Sequence, residues 1–349
     1  MNELSDLRTF SINTPCEIAI LGAGSWGTAL ANLLAANGNR IRLWARDASL
    51  IQSLDSQREN VRFLPGFPLH QNVAPTDSLE EAIVDANVVL FAIPSGGIRA
   101  VARAVSSLIS PAARIISASK GLEDGTGLRM SQVLGECLPN SAERLVVLSG
   151  PNLSVEIARG APTASVAASV DLESAKEVQR LFTGQENPTF RVYTGCDVIG
   201  VELGGAIKNV IAIGAGICDG LGFGDNSKAA LMTRGLTEAI RLGKVLGAEQ
   251  ETFLGLSGVG DLIATGGSRL SRNYRVGFAL GQGRKLPEIL SELGQVAEGV
   301  PTTHTLCDLA ARNGVEMPLC VALHSALFEH RPPMAVIREL MSRPPKGEV

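Results

Sequence analysis

The chain has 349 residues, of which 45% are hydrophobic, and its formal net charge is −4 at pH 7. Because this length exceeds what one hydrophobic core usually supports, we expect two domains. The negative charge and the lack of a basic stripe with interleaved aromatic residues argue against a nucleic-acid-binding platform.

The N-terminus and the cysteines indicate a cytoplasmic protein. The first fifteen residues have no apolar signal core and include Glu3 and Asp6, which fits neither a secretion signal nor an acid-poor transit peptide. We expect residues 1–15 to be a disordered extension. The six cysteines form no CxxC pair, and the four histidines show no metal-ligand spacing. These patterns predict reduced thiols and no structural metal.

A glycine-rich loop follows the first predicted strand, Glu17–Leu21, and precedes a small-residue helix predicted at residues 28–36. In this loop Gly22 would permit the tight turn, Gly24 would let a pyrophosphate approach the backbone, and Gly27 would let the helix pack on the strand. The phosphates would then lie at the helix N-terminus. The order of strand, loop and helix therefore predicts a Rossmann-type dinucleotide site, with an ordinary glycine-rich turn as the alternative.

Two residues after the second predicted strand, Arg40–Trp44, bear on the choice of dinucleotide. An acidic residue near this point binds the ribose hydroxyls of NAD, whereas an arginine accommodates the 2′-phosphate of NADP. The chain offers Arg46 and Asp47 side by side. Arg46 favours NADP and Asp47 keeps NAD open. The alternative is that both are solvated residues at the start of the next helix.

Further strand candidates alternate with helical stretches up to about residue 197. They lie at residues 87–93, 114–118, 144–148, 164–168 and 190–193. Beyond residue 197, nearly every segment has helical periodicity and length. The sequence therefore predicts an α/β fold with a doubly wound, mainly parallel Rossmann-like sheet in residues 16–197, followed by an all-helical domain in residues 198–349.

Polar clusters follow three of these strands, at residues 93–95, 119–121 and 149–152. In a doubly wound sheet the ligand crevice lies beyond the carboxyl ends of the strands. Lys120, directly after a strand, is therefore predicted to belong to the site. The alternative is an exposed loop lysine.

The apolar segment at residues 198–217 contains two charged residues, Glu202 and Lys208. Lys208 must be paired or used there, because moving an ammonium group into apolar surroundings is costly. Burial and neighbouring cations would lower its pKa toward neutrality, where a lysine serves as a catalytic acid or base. Gly204 and Gly205, one helical turn earlier, would leave room for a ligand beside the amine. The alternatives are a structural lysine that reaches the surface and a membrane span, which the glycines and the two charges disfavour.

A series of motifs runs in order from residue 22 to about residue 318: GAGSWGTALA, FLPG, SASKGLE, VVLSGP, FRVYT, IGVELGGAIKNVIAIGAGICDGLGFGDN, MTRG, GVGDLI, SRN and AEG. In this combination the chain resembles the NAD(P)-dependent glycerol-3-phosphate dehydrogenases of bacteria and plastids over almost its whole length. The resemblance implies a Rossmann-like N-terminal domain, a helical C-terminal domain, and reduction of dihydroxyacetone phosphate to sn-glycerol 3-phosphate for phospholipid synthesis.

The resemblance also assigns roles to matching positions. It implies that Lys208 is the general acid/base. It implies substrate contacts at Lys120, Gly150, Asn152, Lys208, Asp261, Ser271, Arg272 and Asn273. Beside the loop glycines Gly22, Gly24 and Gly27, it implies cofactor contacts at Ser25, Trp26, Arg46, Lys120, Ser154, Arg272, Val296 and Glu298. Asn152 stands where the family usually has Ser or Thr, which keeps hydrogen-bonding ability but changes the shape.

The chemistry of these residues fits such a reaction. A hydride that arrives at a carbonyl carbon leaves negative charge on the oxygen, which a protonated Lys208 would stabilise and protonate. Lys120 would lower the pKa of Lys208 by like charge, and Asp261 would oppose that shift. Arg272 and its neighbours at residues 271–273 would clamp the phosphate, with an ordinary helix cap as the alternative.

Two other functions fit parts of the pattern. A dehydrogenase acting on a hydroxy acid would need a carboxylate clamp instead of a phosphate clamp. A nonenzymatic dinucleotide sensor would have no use for a buried lysine. The predicted partners are dihydroxyacetone phosphate, sn-glycerol 3-phosphate, and a second copy of the chain in a homodimer. Neither nucleic acid nor a membrane span is predicted.

Overall fold

The computed structural model describes residues 15–183, 189–344 and 347. The extension predicted at residues 1–15 therefore lies, apart from Pro15, outside the described residues. The chain divides into two compact units, the first made of residues up to Ser119 together with Met130–Val198. The second comprises Lys120–Arg129, which we call the strap, and the chain from Ile199 onward. The boundary predicted near residue 197 placed the strap in the first domain, whereas the structure assigns it to the second unit.

The first unit is built on an eight-stranded sheet. Its strands in chain order are β1 (Glu17–Leu21), β2 (Arg40–Trp44), β3 (Val73–Thr76), β4 (Val88–Phe91), β5 (Arg114–Ser117), β6 (Leu145–Ser149), β7 (Thr163–Ala168) and β8 (Phe190–Gly195). The spatial order is β3-β2-β1-β4-β5-β6-β7-β8, and every neighbouring pair is parallel except β6 and β7. The predicted doubly wound, mainly parallel sheet is confirmed. The strand order reverses between β1 and β4, where such a sheet binds its ligand.

Helices cover both faces of this sheet. They are α1 (Ser25–Ala36), α2 (Ala48–Gln57), α3 (Leu79–Ile83), α4 (Ile98–Val105), α5 (Met130–Cys137), α6 (Ser154–Ala158) and α7 (Leu172–Phe182). Side chains alternate between the faces of a strand, so one strand serves two cores. Ile18 and Ile20 of β1 belong to the core that contains Leu30 of α1. Ala19 and Leu21, which lie between them in sequence and point to the other face, are also fully buried.

The edge strand β3 was not predicted from the sequence. It is short and contains Pro75, which has no N–H to donate to a neighbouring strand. Proline is tolerated at a sheet edge, and among the described strands β3 pairs only with β2. The other predicted strands are confirmed to within two residues at each end, and α1 begins three residues earlier than predicted.

Among its described residues, the regular secondary structure of the second unit is helical, apart from one isolated β-bridge in the strap. Its helices are α8 (Val198–Gly220), α9 (Asp225–Val245), α10 (Gln250–Leu254), α11 (Asp261–Gly266), α12 (Arg272–Gly281), α13 (Leu286–Leu293), α14 (Gly299–Arg312), α15 (Pro318–Phe328) and α16 (Pro333–Met341). A π-helical turn, Leu256–Gly260, directly precedes α11. The predicted all-helical second half is therefore confirmed for the described residues.

Helix α8 is long and apolar enough to cross a membrane, and it is the one such helix among the described residues. However, 89% of its most apolar stretch is buried within the protein. Its side chains form the centre of the hydrophobic core of the second unit, together with residues of α9, α12, α14 and α15. Its apolar character is therefore that of a core helix.

Glycines let α8 and α12 approach closely. A Cβ atom at Gly216 of α8 would clash with the carbonyl oxygen of Tyr274, and one at Gly277 of α12 would clash with that of Ile213. The backbones of the two helices therefore touch without intervening side chains. This contact fixes the position of α12, whose first residues belong to the candidate site described below.

We expect Gly277→Ala to lower the free energy of unfolding by about 1–3 kcal/mol, because the added methyl group would force α8 and α12 apart. Urea denaturation would measure the change. Gly135→Ala is the control, since Gly135 is exposed on α5 and the added methyl group would meet open space. The control should keep or slightly raise stability, by up to about 1 kcal/mol. Equal losses for both variants would contradict the close contact of α8 with α12.

Candidate active site

The glycine loop after β1 has the form that a dinucleotide requires. Gly22 has a φ of 123°, a conformation that favours glycine, and a Cβ atom there would lie 2.5 Å from the carbonyl oxygen of Ala92. A Cβ atom at Gly27 would clash with the carbonyl oxygen of Gly22. Gly24, in contrast, has open space on its Cβ side. The first and third glycines are thus needed for packing, and the second leaves room for a phosphate group.

The N-terminus of α1 completes this phosphate site. Its N-cap residue is Gly24, no side chain caps the helix, and no acidic residue lies in its first turn. The backbone N–H groups of this turn therefore remain suited to an anion. Ser25 Oγ instead donates to the carbonyl oxygen of Phe63 at 2.6 Å, and Trp26 Nε1 donates to that of Ala118 at 3.1 Å. These bonds hold the first turn of α1, and the residues present fit a dinucleotide pyrophosphate.

At the end of β2 the structure separates the roles of Arg46 and Asp47. Asp47 is the N-cap of α2: it accepts hydrogen bonds from Ser49 Oγ and from the backbone N–H groups of Ser49 and Leu50. The bond from the Ser49 hydroxyl lowers the pKa of Asp47. Asp47 also pairs with Arg62 at 3.0 Å. Arg46 is exposed beside it. The alternative that Asp47 opens the next helix agrees with this geometry.

The other predicted ligand contacts of the first unit lie around the end of β6. Gly150 has a φ of 138°, and a Cβ atom there would lie 2.9 Å from the Cα atom of Ser165 on β7. Glycine at this position therefore meets a packing need of the sheet, whatever it contacts in a ligand. Asn152 is half-buried in the following turn, and Ser154 is the first residue of α6.

In the second unit, one carboxylate joins the two lysines singled out from the sequence. Lys208 of α8 lies 3.0 Å from Asp261 Oδ1, and Lys120 of the strap lies 2.6 Å from Asp261 Oδ2. Thr265, one turn after Asp261 on α11, accepts a hydrogen bond from Lys208 Nζ at 2.7 Å and donates one to Asp261 Oδ1 at 3.1 Å. All four residues are buried or nearly so. We call this group the lysine–carboxylate cluster.

Burial and charge shift the pKa values within this cluster. Burial lowers the pKa of Lys208 to about 8, the Asp261 carboxylate opposes this shift, and the charges of Lys120 and Arg272 add to it. For Asp261, burial acts to raise the pKa, but the charges of Lys120 and Lys208 outweigh it and the pKa is lowered. Asp261 therefore stays ionised, whereas Lys208 is poised to exchange a proton near neutral pH.

The backbone around Gly204 brings Asp261 to Lys208. A Cβ atom at Gly204 would lie 2.8 Å from the carbonyl oxygen of Ser257, in the π-helical turn before α11. This turn therefore packs directly on α8, one helical turn before Lys208, and α11 begins beside the amine. The expectation that Gly204 leaves room for a ligand is wrong, because protein backbone occupies that space.

The start of α12 holds the predicted phosphate clamp. Ser271 is the N-cap of this helix, and its Oγ accepts a hydrogen bond from the Tyr274 N–H at 3.2 Å. Arg272 is half-buried and donates to Gln295 Oε1 at 3.3 Å. Burial lowers the pKa of Arg272, and the charge of Glu298 opposes the shift. Arg272 stays positively charged, and its charge contributes to the lowered pKa of Lys208.

Asn273 ties three helices together behind this clamp. Its Nδ2 donates to Asn209 Oδ1 of α8 at 2.8 Å, and its Oδ1 accepts from the N–H of Gly299, the first residue of α14, at 2.9 Å. Glu298 is the N-cap residue of α14, and Val296, two residues earlier, is exposed. The structure thus brings Lys120, Lys208, Asp261 and Arg272 into one group and gives the side chain of Asn273 a bracing position.

Two residues of this group, Thr265 and Asn209, were not singled out from the sequence. Thr265 carried a signal, since it follows Asp261 by four residues and so shares its helical face. Asn209 carried no such signal. It follows Lys208 directly, but adjacent residues of a helix point in different directions, and its partner Asn273 lies on another helix.

The chain matches known proteins over nearly its whole length. The family profile described as NAD-dependent glycerol-3-phosphate dehydrogenase N-terminus matches residues 17–175, and the corresponding C-terminus profile matches residues 197–338. Among curated relatives, glycerol-3-phosphate dehydrogenase (NAD(P)+) from Geobacter metallireducens is 50% identical over 333 residues, with 95% of this chain and 98% of the relative covered. A relative of the same name from Bacillus cereus is 47% identical, with coverage of 95% and 97%.

The chain is also similar to solved protein structures. The crystal structure of a glycerol-3-phosphate dehydrogenase from Coxiella burnetii is similar to this chain with a TM-score of 0.89 and 39% identity. The similarity covers 94% of this chain and 99% of that one. The structure of a Dunaliella salina protein named DsGPDH has a TM-score of 0.85 at 26% identity, and here 96% of this chain covers 62% of a longer one.

Proposed function

Because this chain belongs to the NAD-dependent glycerol-3-phosphate dehydrogenase family, we propose that it reduces dihydroxyacetone phosphate to sn-glycerol 3-phosphate and so supplies glycerophospholipid synthesis. It is an oxidoreductase that uses NAD or NADP, as its relatives are named. The direction of the reaction and the roles of individual residues are the proposed part. The cytoplasmic location and the homodimer stay predictions.

The placement of Lys208 is the single observation that carries the proposed mechanism. Two of its three ammonium hydrogens are used by Asp261 and Thr265 among the described residues, which leaves one for an oxygen atom of the substrate. A reduced dinucleotide held at the glycine loop and the first turn of α1 would supply the hydride for the substrate carbonyl carbon. Lys208 then gives a proton to the oxygen, on which negative charge develops, and acts as general acid. In the reverse direction a neutral Lys208 takes the hydroxyl proton.

Asp261 and Lys120 support this proton transfer. The Asp261 carboxylate orients both ammonium groups, since each of its oxygen atoms bonds one lysine. Lys120 adds positive charge near the developing alkoxide, in buried surroundings where such charge is effective. Thr265 holds Lys208 from a second direction and so limits the rotation of its ammonium group. Together these contacts preorganise the acid before the substrate arrives.

Arg272 is the proposed phosphate ligand. Its guanidinium is planar and offers several donors, which suits the oxygen atoms of a phosphate group. It lies at the first position of α12, where the helix dipole favours an anion. A hydroxy-acid dehydrogenase would use the same cation for a carboxylate, so turnover of the two substrate classes distinguishes these functions. A nonenzymatic sensor is disfavoured because it has no need for the lysine–carboxylate cluster.

The first unit provides the proposed cofactor site through its glycine loop and Arg46. Asp47 is committed to the N-cap of α2 and to Arg62, so its carboxylate is poorly suited to accept the ribose hydroxyls of NAD. Arg46 is exposed beside it and suits a 2′-phosphate. These contacts support a preference for NADP.

The test of the proposed function is a spectrophotometric assay of NADPH and NADH oxidation with dihydroxyacetone phosphate, run beside 2-oxo acids as competing substrates. We expect turnover with dihydroxyacetone phosphate and none with the 2-oxo acids. Turnover with a 2-oxo acid alone would move the function to the hydroxy-acid class, and cofactor binding without any turnover would favour the sensor.

We expect Lys208→Ala to lower kcat by about 10²- to 10⁴-fold, because the variant lacks the proton donor. Fluorescence titration should show that NADPH still binds. Lys208→Arg should not restore kcat, since a guanidinium keeps its proton near neutral pH. Lys244→Ala, which removes an exposed lysine of α9, is the control and should keep the parent rate. A Lys208→Ala enzyme that folds, binds NADPH and turns over within a few fold of the parent would make the lysine structural.

We expect the reaction rate to depend on pH with a midpoint near the Lys208 pKa of about 8. Reduction needs the protonated amine, so kcat/KM for dihydroxyacetone phosphate should fall as pH rises through this value of the free enzyme. Oxidation of sn-glycerol 3-phosphate needs the neutral amine, so its kcat/KM should rise over the same range. Asp261→Asn removes a charge that raises the pKa, so both midpoints should move to lower pH. Profiles with the same slope in both directions would exclude Lys208 as the titrating group.

We expect Arg46→Ala to raise KM for NADPH more than KM for NADH, since only NADPH has a 2′-phosphate to pair with the guanidinium. Initial-rate measurements with each cofactor would compare the two KM values. Arg62→Ala serves as a comparison, because Arg62 lies nearby but is paired with Asp47. Equal changes for both cofactors in Arg46→Ala would remove the argument for an NADP preference.

A further inference from the structure

The strap is a hairpin-like segment that presents Lys120. Leu122 and Arg129 form an antiparallel bridge at its base, and the N–H of Glu123 donates to the carbonyl oxygen of Leu128 at 2.9 Å. The Leu122 side chain is buried in the core of the second unit. Lys120 precedes this bridge by two residues, so the position of its amine depends on how firmly the base of the strap is held.

Polar contacts hold the strap at its base and at its tip. At the base, Arg129 Nη1 lies 2.5 Å from Glu202 Oε2, and the side chains are only 15% and 4% exposed. At the tip, the exposed Arg312 of α14 donates to the carbonyl oxygens of Thr126 at 3.2 Å and Gly125 at 3.3 Å, and Thr305 Oγ1 donates to Asp124 Oδ1 at a long 3.4 Å. Exposed or long contacts contribute little, whereas removal of one partner of a buried ion pair is strongly unfavourable. The base contact is therefore the stronger constraint.

Glu202 also connects the strap to the helix of the proposed acid. It lies on α8, which carries Lys208, and Asp261 on α11 bonds both Lys208 and Lys120. We propose that Arg129 and Glu202 are positioning residues, whose ion pair fixes the strap on α8 and so holds Lys120 against Asp261. This inference rests on the proposed function only in that it assigns Lys120 a part in the reaction.

The inference predicts an electrostatic consequence at Lys208. The charged groups that act on this amine are Asp261 from α11, Lys120 from the strap and Arg272 from α12. If the strap moves, Lys120 withdraws while Asp261 and Arg272 stay. The pKa of Lys208 then rises, because a like charge has left. A merely structural role of the ion pair would lower the amount of folded enzyme and leave this pKa unchanged.

The first experiment compares Glu202→Gln with Lys120→Met by pH profiles of the reduction. We expect both variants to shift the midpoint to higher pH. Glu202→Gln should lower kcat/KM by about 10- to 100-fold, the scale expected when a group of the site is misplaced by about 1 Å. The double variant should be no worse than Lys120→Met, because both changes remove the same contribution. Glu292→Gln, which breaks the exposed pair with Arg284, is the control and should match the parent.

The second experiment measures the strap without relying on activity. An N-hydroxysuccinimide ester is reacted with the folded enzyme, and acylation of each lysine is followed by mass spectrometry. We expect Lys120 to react about 10-fold faster in Glu202→Gln than in the parent, as expected for an amine freed from a buried ion pair. Exposed Lys244 should react at the same rate in both. If Glu202→Gln does not fold, Glu202→Asp keeps the carboxylate on a shorter side chain and should give an intermediate increase.

The outcomes separate the two levels of the inference. An unchanged midpoint together with unchanged protection of Lys120 in Glu202→Gln would overturn the positioning role. Parent-like kinetics in Lys120→Met would instead refute the part that the proposed function gives to Lys120, while the acylation rates would still decide whether the ion pair holds the strap.

Discussion

The structure of the site depends on one buried carboxylate that two lysines share. Asp261 bonds Lys208 through one oxygen atom and Lys120 through the other, so the three groups together carry one net positive charge. A single buried ammonium group would be fully neutralised by such a partner, whereas two leave an excess that favours release of a proton. Burial lowers the pKa of Lys208 to about 8, and the excess positive charge adds to this shift.

For Asp261 to bond both lysines, side chains from elements far apart in the sequence must lie within hydrogen-bond distance. Gly204 makes this possible on α8, because the carbonyl oxygen of Ser257 occupies the place of a side chain. The π-helical turn Leu256–Gly260 then leads directly into α11 and its Asp261. Gly216 and Gly277 play the same part where α12 meets α8. Small residues in this unit are therefore a means of bringing polar groups together within a hydrophobic core.

The two units divide the requirements of a dinucleotide-dependent reaction. The first unit has a strand order and a glycine loop that fit phosphate groups, and in it Gly24 alone of the three loop glycines leaves open space. The second unit contains Lys208, the proposed acid, its partner Asp261, and Arg272, the proposed phosphate ligand. Lys120 belongs to the second unit, although the residues that precede and follow the strap in the sequence belong to the first unit.

Local pattern in the sequence determined the strands, the glycine loop and the helical second half, because alternation, helical periodicity and glycine positions act over a few residues. It also singled out Lys208, because a cation is unusual in an apolar segment, and Lys120, because it directly follows a predicted strand. Its ordered motifs indicated a family that family profiles and a relative with 50% identity confirm. The edge strand β3 was not predicted, because Pro75 disfavours a strand in general and is tolerated only at the edge of a sheet.

Tertiary structure alone decided which polar groups meet. The bond between Lys120 and Asp261 joins residues 141 positions apart, and Arg129 pairs with Glu202 across 73 positions. It also decided that the strap belongs to the helical unit, that Asp47 caps α2, and that backbone fills the space beside Gly204. The physical reason is that such contacts are set by the packing of whole helices and strands, and no local pattern in the sequence records the distance between them.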